Sequence, residues 1–266
     1  MSTAVQERKV VSNEEWTEAR KALLAKEKEL TRLRDEVSRQ RLELPWQKVE
    51  KNYVFDMPEG KKTLADLFNG RSQLVIYHFM FSPEWKEGCA RCSLAADHFD
   101  RSVVHLAARD VTLMAVSRAT LPQIEAFRKR MGWSFQWASS YGSDFNFDYH
   151  VSFTPGEMAR GDAEYNYRNQ GFPTDEATGT SVFYKDAEGN VYHTYSCYAR
   201  AGEGMLANYH FLDIAPKGRD EEQFGADSMA WVRHHDRYGD TRPFVDPGSP
   251  LGAPAKAAHK CCGGEQ

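Results

Sequence analysis

Several features that would identify a membrane, secreted or nucleic-acid-binding protein are missing from this sequence. No contiguous apolar run in its 266 residues approaches the length that a membrane span needs. Residues 1–9 contain no apolar segment of the kind that a secretory signal carries. The formal net charge is −4 at pH 7, so no excess of basic residues indicates a nucleic-acid partner. We therefore expect a cytoplasmic protein that binds neither membranes nor nucleic acids.

Cysteine is scarce, and its five residues are an odd number. A small secreted domain held together by disulfides would carry a denser and even set. In a reducing compartment, two cysteines close together in the chain are more consistent with catalysis or metal binding than with a structural disulfide. Such a pair is present in Cys89-Ala90-Arg91-Cys92.

This CxxC motif lies between a strand pattern and a helix pattern. The apolar run over 72–81 predicts a buried strand, and residues 93–100 predict a helix. Strand, loop, CxxC and helix, in this order, are typical of a thioredoxin-type redox site. We expect Cys89, at an exposed helix start, to be the nucleophile, because free amides and the helix dipole stabilise a thiolate there. Cys92 would be more buried and would resolve the mixed disulfide, and Arg91 adds a positive charge between the two.

The composition divides the chain into a helical arm at 1–45, a main domain at 46–240 and a flexible tail at 241–266. In the arm, Ser12 and Glu15 fit a capping box that begins a long helix. An apolar residue then recurs every seven positions, at Trp16, Leu23, Leu30, Val37 and Leu44. The second apolar position of this heptad is mostly charged, which favours packing on the main domain or on a partner subunit over a coiled-coil zipper. We expect a homodimer.

In the main domain, strand and helix patterns alternate. Strands are predicted at 53–55, 74–81, 111–116 and 135–138, followed by a hairpin of 181–184 with 191–195. Helices are predicted at 89–108, 121–131 and 204–214. The polar and aromatic stretch between 139 and 178 predicts a long loop that is functional or mobile. This order predicts an α/β, thioredoxin-like fold, in which helices flank a central mixed sheet.

Four separate strings of the sequence resemble the DUF899 family. They are Tyr77-His78-Phe79-Met80-Phe81, Glu87-Gly88-Cys89-Ala90-Arg91-Cys92-Ser93, Gly179-Thr180-Ser181-Val182-Phe183-Tyr184-Lys185-Asp186 and Ala230-Trp231-Val232-Arg233-His234-His235-Asp236-Arg237-Tyr238. The resemblance covers residues 10 to 240 and implies a thioredoxin-like fold and a predicted dithiol–disulfide oxidoreductase. Residues 55–67 and 114–117 resemble the peroxiredoxin-like branch of that fold.

One stretch departs from the thioredoxin pattern. Thioredoxins carry a cis-proline just before the strand that faces the CxxC motif, and residues 179–183 contain no proline. This departure weakens the interpretation as a general protein-disulfide reductase and leaves room for another substrate or for a metal. Trp85 resembles the aromatic residue that shields a thioredoxin dithiol, the alternative being simple loop packing. With Arg91, Thr180 and Ser181, it forms our candidate rim of the site.

A soft metal is the alternative ligand of the same two cysteines. Cys89, Cys92 and His193 would resemble the copper-delivery members of the thioredoxin fold, since thiolates and imidazole suit copper(I) or zinc. His193 and Cys197 are four residues apart, so a continuous strand would place them on one face. Cys197 itself is interpreted as a packed thiol. His78 is interpreted as a hydrogen-bonded core histidine, the alternatives being a proton shuttle or a metal ligand.

Two further segments leave alternatives open. The aromatic and basic cluster over 231–238 is interpreted as a C-terminal helix that packs on the sheet, the alternative being a rim of the active site. In the tail, Cys261-Cys262 is a second dithiol, a trap for soft metals or a pair without function. Direct pairing of adjacent cysteines is strained and therefore disfavoured.

These observations together predict a thiol–disulfide oxidoreductase that uses the Cys89–Cys92 disulfide and no other cofactor. Its partner would be a thiol or disulfide protein, a small-molecule thiol or a peroxide. The alternatives are a copper or zinc carrier that uses the same cysteines, and a scaffold in which the dithiol is vestigial.

Overall fold

The computed structural model describes residues 9–240 and 246–248. The predictions for Cys261, Cys262 and most of the tail lie outside these ranges. Within them, the strands are β1 (Gln47–Lys48), β2 (Val54–Met57), β3 (Gly60–Thr63), β4 (Gln73–His78), β5 (Val111–Ser117), β6 (Gln136–Ser139), β7 (Ala163–Tyr165), β8 (Arg168–Gln170), β9 (Gly179–Lys185) and β10 (Val191–Tyr198). The helices are α1 (Asn13–Leu42), α2 (Ala90–Phe99), α3 (Val103–Ala107), α4 (Leu121–Met131), α5 (Phe145–Asp148), α6 (Pro155–Arg160) and α7 (Ala207–Ile214). None of these helices is long and apolar enough to cross a membrane.

Eight of the strands form one mixed sheet, in the order β1-β10-β9-β4-β5-β6-β2-β3. Strands β4, β5 and β6 run parallel, as the continuous apolar runs of β4 and β5 predict, and β9 joins β4 antiparallel. In this register, Ile76 of β4 lies between Met114 of β5 and Ser181 of β9. The sheet, the helices packed on it and the N-terminal helical arm make the thioredoxin-like fold that the sequence predicts.

The alternation of side chains along β4 divides the interior into two cores. Tyr77 joins the first core, which includes side chains of α2 and α4, whereas Ile76 joins the second core, which includes α5. Aromatic rings dominate the first core, where the centroids of Phe79 and Trp137 lie 4.4 Å apart. Both motif cysteines belong to the first core, so the sheet separates them from every residue of the second.

The stretch between 139 and 178 is not the long irregular loop that the sequence predicts. It contains α5, α6 and a β7–β8 hairpin, and it closes over a third small core. Thr154 and Glu157 form a capping box at the start of α6, while Phe153 and Tyr165 are buried in the third core. The cap and the buried rings order a segment whose polar composition had suggested an open loop.

The arm begins as predicted and then departs from the prediction. The Glu15 amide donates to Ser12 Oγ at 3.2 Å, and the Ser12 amide donates to Glu15 Oε2 at 3.3 Å, so the capping box is present. None of the 30 residues of α1 is buried, so the expectation that its apolar stripe packs on its own domain is wrong. Its C-terminal end meets the domain, where the Arg41 guanidinium lies 5.4 Å from the centre of the Tyr195 ring.

Candidate redox site

The CxxC motif lies at the end of β4 and at the start of α2, as predicted. Cys89 is the N-terminal cap of α2, and its amide donates to the carbonyl of Met80 at 3.1 Å. The Ser93 amide and hydroxyl both donate to the Cys89 carbonyl, at 3.0 and 2.9 Å. The chain after β4 therefore turns back on its own strand end and fixes Cys89 at the first turn of the helix.

Both thiols are buried, which differs from the expected exposure of Cys89. Cys89 and Cys92 are each only 1% exposed. Residues 246–248 lie over Cys89, and Cys92 is packed in the first core. A Cβ atom at Gly248 would lie 2.4 Å from Cys89 Sγ, so only glycine fits at this contact. No sequence pattern connects these segments, since 157 positions separate Cys89 from Asp246.

Asp246 brings a carboxylate to the start of α2. Its Oδ1 accepts hydrogen bonds from the Ala90 amide and from the Gly248 amide, both at 3.0 Å. Its Oδ2 accepts from the Cys89 thiol, with Sγ at 3.7 Å. A carboxylate at a helix N-terminus is stabilised by the helix dipole. It takes the amide hydrogen bond and cancels the positive potential that would otherwise stabilise a Cys89 thiolate.

The two thiols are consequently unequal, in the opposite sense to the prediction. Burial raises the pKa of Cys89 well above its ordinary value, and the Cys92 sulfur and the Asp246 charge raise it further. Burial also acts to raise the pKa of Cys92, but hydrogen bonds from the Cys89 thiol, the Tyr77 hydroxyl and the Met80 amide outweigh it and lower that pKa. The environment thus favours a thiolate on Cys92 and a protonated thiol on Cys89.

Two of the side chains that lower the pKa of Cys92 come from β4 and from the residue before β9. Tyr77 is on the same face of β4 as Phe79, and its hydroxyl accepts from Thr178 Oγ1 at 3.2 Å. Burial raises the pKa of Tyr77 well above its ordinary value, so this phenol stays protonated and able to donate. Thr178 comes directly before β9, and its side chain also contributes to lowering the pKa of Cys92. Neither residue was predicted to act at the site, although Tyr77 lies in the apolar run that predicted this strand.

A cavity of about 640 Å³ opens against both cysteines. Its walls are mostly apolar and aromatic and include Tyr77, Met80, Tyr165, Tyr198, Met205 and Leu206. Cys197 also lines this cavity, and burial raises the pKa of its thiol. The size and lining suit a small organic molecule whose reactive end reaches the thiols.

Two of the four candidate rim residues, Arg91 and Thr180, line the cavity. Arg91 also forms an ion pair with Asp227, whose two carboxylate oxygens lie 2.6 and 2.7 Å from Nη2, and this pair neutralises the charge expected beside the thiols. Trp85 instead packs against the first core, as in the loop-packing alternative, and Ser181 is fully buried within the sheet.

Ser181 belongs to a chain of hydrogen bonds between two histidines. Its Oγ lies 2.8 Å from His78 Nε2 and 2.8 Å from Ser196 Oγ, which in turn lies 2.7 Å from His193 Nε2. Burial lowers the pKa of His78 to about 3, so this imidazole is neutral. His78 is thus the hydrogen-bonded core histidine that the sequence favoured, although its Nδ1 has no partner among the described residues.

The metal set Cys89, Cys92 and His193 is not assembled. A β-bulge between His193 and Tyr195 changes the alternation along β10, so His193 and Cys197 lie on opposite faces despite their even spacing. His193 pairs with Phe183 of the second core, whereas the two thiols belong to the first. In the described ranges, no three histidine, cysteine or acidic side chains come together to hold a metal ion.

The strand facing the thiols lacks a cis-proline, as its sequence predicts. Between residues 9 and 240 no peptide bond is cis, and Thr178-Gly179 occupies the start of β9. A Cβ atom at Gly179 would lie 2.7 Å from the Tyr198 ring, so glycine is required for this close approach.

The 229–238 segment is not the predicted C-terminal helix. Turns lead into one short 3-10 helix, His235–Arg237, and the segment lies on the loop that precedes the motif. His234 is fully buried, and its Nε2 donates to the Gly88 carbonyl at 2.8 Å. Burial lowers the pKa of His234, so its neutral ring can accept from Arg130 at Nδ1, 3.1 Å away.

Two further contacts hold this loop. Glu87 forms ion pairs with Arg130 at 2.8 Å and with Arg237 at 2.7 Å. On the inner side, a Cβ atom at Gly88 would lie 2.6 Å from the Phe79 ring and 2.9 Å from the Phe127 ring. The residue before Cys89 is therefore fixed between a buried histidine and two aromatic rings.

Replacing Asp246 by asparagine should make Cys89 more reactive. The change removes the negative charge that helps raise the pKa of Cys89, so that pKa falls and more thiolate is present at a given pH. We expect alkylation of Cys89 at neutral pH to become about tenfold faster, because a larger fraction of the thiol is ionised. Peptide mapping of timed alkylation measures it, with Asp236→Asn as the control. An unchanged rate at Cys89 would show that Asp246 does not control its ionisation.

The chain is similar to one protein family and to several solved structures. The model of a family described as "Bacterial protein of unknown function (DUF899)" matches residues 5–238. Among curated proteins, no sequence matches the chain. Similar solved structures include a cysteine mutant of PrxQ from Xylella fastidiosa, at 14% identity and a TM-score of 0.40, covering 62% of this chain and 94% of that one. Peroxidoxin BcpB from Mycobacterium tuberculosis has 12% identity and a TM-score of 0.41, with the same two coverages. A putative thiol:disulfide interchange protein DsbE from Chlorobium tepidum has 12% identity, a TM-score of 0.38 and again these coverages.

Proposed function

The chain belongs to the DUF899 family, and from this premise we propose that it is a dithiol–disulfide oxidoreductase acting on small molecules. One observation carries the proposal: two thiols at the start of α2 line the same cavity and have opposite pKa shifts. A thiolate beside a protonated thiol is the arrangement that disulfide exchange requires, since one sulfur attacks and the other resolves.

In the proposed reaction, the Cys92 thiolate attacks a disulfide, R–S–S–R, held in the cavity. A bond forms between Cys92 and one substrate sulfur, the S–S bond of the substrate breaks, and one R–S⁻ leaves. Cys89 then loses its proton to Asp246, whose Oδ2 lies 3.7 Å from the thiol, and attacks Cys92. The second R–S⁻ leaves, so the substrate gains two electrons and the enzyme holds a Cys89–Cys92 disulfide. A thiol reductant returns the enzyme to the dithiol.

The burial of the thiols supports a small substrate over a folded protein. Neither cysteine is more than 1% exposed, so the disulfide of a folded protein would have to enter the cavity to reach a thiol. The apolar and aromatic walls suit a compact organic body. A small-molecule thiol, its disulfide or a peroxide therefore fits this site better than a protein partner does.

A redox titration tests the proposal. We expect Cys89 and Cys92 to form a reversible intramolecular disulfide in mild oxidant, protecting both from alkylation, and we expect dithiothreitol to release them. Peptide mapping by mass spectrometry identifies the paired sulfurs. A Cys197→Ser variant should behave like the parent, whereas Cys89→Ser should not form the bond. If both thiols of the folded parent stay free across the titration, the function is not disulfide exchange.

The metal content of the purified protein tests the alternative that it is a copper or zinc carrier. Protein purified without an affinity tag should contain no stoichiometric metal, because His193 lies across the sheet from the two thiols. Copper or zinc that remains bound to the parent and is lost in Cys92→Ser would instead favour the carrier.

A further inference from the structure

Helix α1 presents an apolar stripe to solvent along its whole length. Trp16 is 58% exposed, Leu23 is 55% exposed, and Leu30 and Leu33 are 49% and 59% exposed. None of the helix is buried against the described part of its own chain. A contiguous stripe of this kind on a soluble protein marks a surface that another molecule covers.

The charges beside the stripe are arranged by sign. The residue before each stripe position is acidic at four of five places, which are Glu15, Glu29, Glu36 and Glu43, with Ala22 as the exception. The fourth residue after a stripe position is basic at three of four places, which are Arg20, Arg34 and Arg41, with Glu27 as the exception. In heptad terms, the acidic residues occupy the g positions and the basic residues the e positions, and these flank a coiled-coil seam.

We propose that α1 pairs with α1 of a second copy of this chain as a parallel, in-register coiled coil. In such a pair, each g residue faces the e residue of the following heptad in the other chain. Glu29 then meets Arg34 of the second copy, and Glu36 meets Arg41, with Glu15 and Arg20 adding a third pair. An antiparallel pair would instead place acid against acid and base against base, so the charges select the parallel arrangement.

The ion pairs that α1 already makes do not oppose this pairing. Glu29 lies 3.0 Å from Lys26 and Glu36 lies 2.7 Å from Arg39, but these side chains are about half exposed or more. Exposed pairs of this kind contribute little to stability, so exchanging them for contacts between chains costs little. The main domain meets α1 at its C-terminal end, near Tyr195, which leaves the rest of the stripe accessible.

The second seam position sets the strength of the dimer. It is held in turn by Ala19, Lys26, Leu33 and Gln40, so one of the four residues is charged, and the expectation that this position is mostly charged, which had argued against a coiled coil, is wrong. Lys26 and Gln40 place polar groups in the seam, which weakens a coiled coil while favouring a single register. We therefore expect a dimer that dissociates on dilution. This inference is independent of the redox chemistry of the main domain.

Charge reversal on the full-length chain tests the orientation. A basic variant carries Glu29→Arg and Glu36→Arg, and an acidic variant carries Arg34→Glu and Arg41→Glu. Each alone should weaken a parallel dimer about 30-fold or more, because every g–e contact becomes repulsive. An equimolar mixture should regain the mass of two chains, since all four contacts are then complementary. Sedimentation equilibrium over a concentration series measures these masses.

Matched variants separate pairing from other effects. Glu18→Arg with Asp35→Arg makes the same charge change away from the seam and should leave the dimer intact. Leu23→Glu with Leu30→Glu should abolish it, whereas Leu42→Glu, at an 86% exposed position outside the stripe, should not. A monomeric parent at every concentration overturns the proposal. An unchanged mass in the basic variant overturns the parallel orientation, because an antiparallel pair keeps like charges in contact before and after the change.

Discussion

Replacing Cys92 by serine should abolish disulfide exchange, lowering turnover of a small aromatic disulfide by about a thousandfold. The same change at Cys89 should also stop turnover, but at a later step. Cys89→Ser keeps the Cys92 thiolate, so it should attack the substrate once and remain joined to it. Cys92→Ser loses the thiolate, so it should form no mixed disulfide at a comparable rate.

The physical reason is the unequal surroundings of the two sulfurs. The Tyr77 hydroxyl and the Met80 amide donate towards Cys92, whereas the carboxylate of Asp246 lies against Cys89. Hydrogen bonds to a thiolate stabilise it, and a neighbouring negative charge destabilises it. The helix dipole alone would favour a thiolate on Cys89. The Asp246 carboxylate accepts a hydrogen bond from the Ala90 amide at the same helix start and reverses that preference.

Two measurements check this order. The absorbance of thiopyridone released from dipyridyl disulfide measures the rate of the first attack. The mass of the intact protein identifies the trapped adduct. A Tyr77→Phe variant should slow the first attack by removing one donor, and Tyr141→Phe, which removes the hydroxyl of a 55% exposed tyrosine, serves as the control. If Cys92→Ser traps the adduct and Cys89→Ser does not, Cys89 is the attacking sulfur, as its place at the helix start had suggested.

The fold was predictable because its signals are local. Continuous apolar runs marked β4 and β5, whose side chains are buried on both faces, and the capping box marked the start of α1. The CxxC motif could be placed because a strand pattern precedes it and a helix pattern follows it. These features depend on residues within one turn or one strand, which sequence patterns represent well.

The chemistry of the site was not predictable because it depends on contacts distant in the chain. Asp246 and Gly248 lie in a segment rich in proline and glycine, and no periodicity connects them to Cys89. His234 reaches Gly88 across 146 positions. In both cases a single polar side chain, rather than an apolar pattern, makes the connection.

The position of His193 illustrates a different limit. Even spacing predicted that it shares a face with Cys197, but one bulge in β10 changes the alternation. A bulge adds one residue to one strand only, and it leaves no clear trace in an otherwise regular strand pattern. His193, the ligand in the alternative metal-binding interpretation, therefore points into the second core, where it closes a hydrogen-bond chain with Ser196.

Replacing Trp137 by alanine should destabilise the protein by about 4 kcal/mol, the cost typical of removing a large buried aromatic side chain. Trp137 is 1% exposed, and its ring lies 4.4 Å from that of Phe79, centroid to centroid. Its Nε1 donates to Ser117 Oγ at 3.0 Å. Alanine would leave a cavity in the first core and remove this hydrogen bond, whereas Trp137→Phe should cost less because most of the ring contacts remain.

Urea unfolding followed by circular dichroism measures the loss, and Trp46→Ala is the control. Trp46 is 54% exposed, so its removal should change the free energy of unfolding by less than about 1 kcal/mol. A loss below that value for Trp137→Ala would contradict the packing described for the first core.

Trp137→Ala should also affect the thiols. It removes the ring that packs on one side of Phe79, and Phe79 contacts Gly88, which directly precedes Cys89. We therefore expect the ratio of Cys92 to Cys89 alkylation rates to fall in Trp137→Ala while remaining unchanged in Trp46→Ala, because the loop that fixes the first thiol depends on this aromatic support.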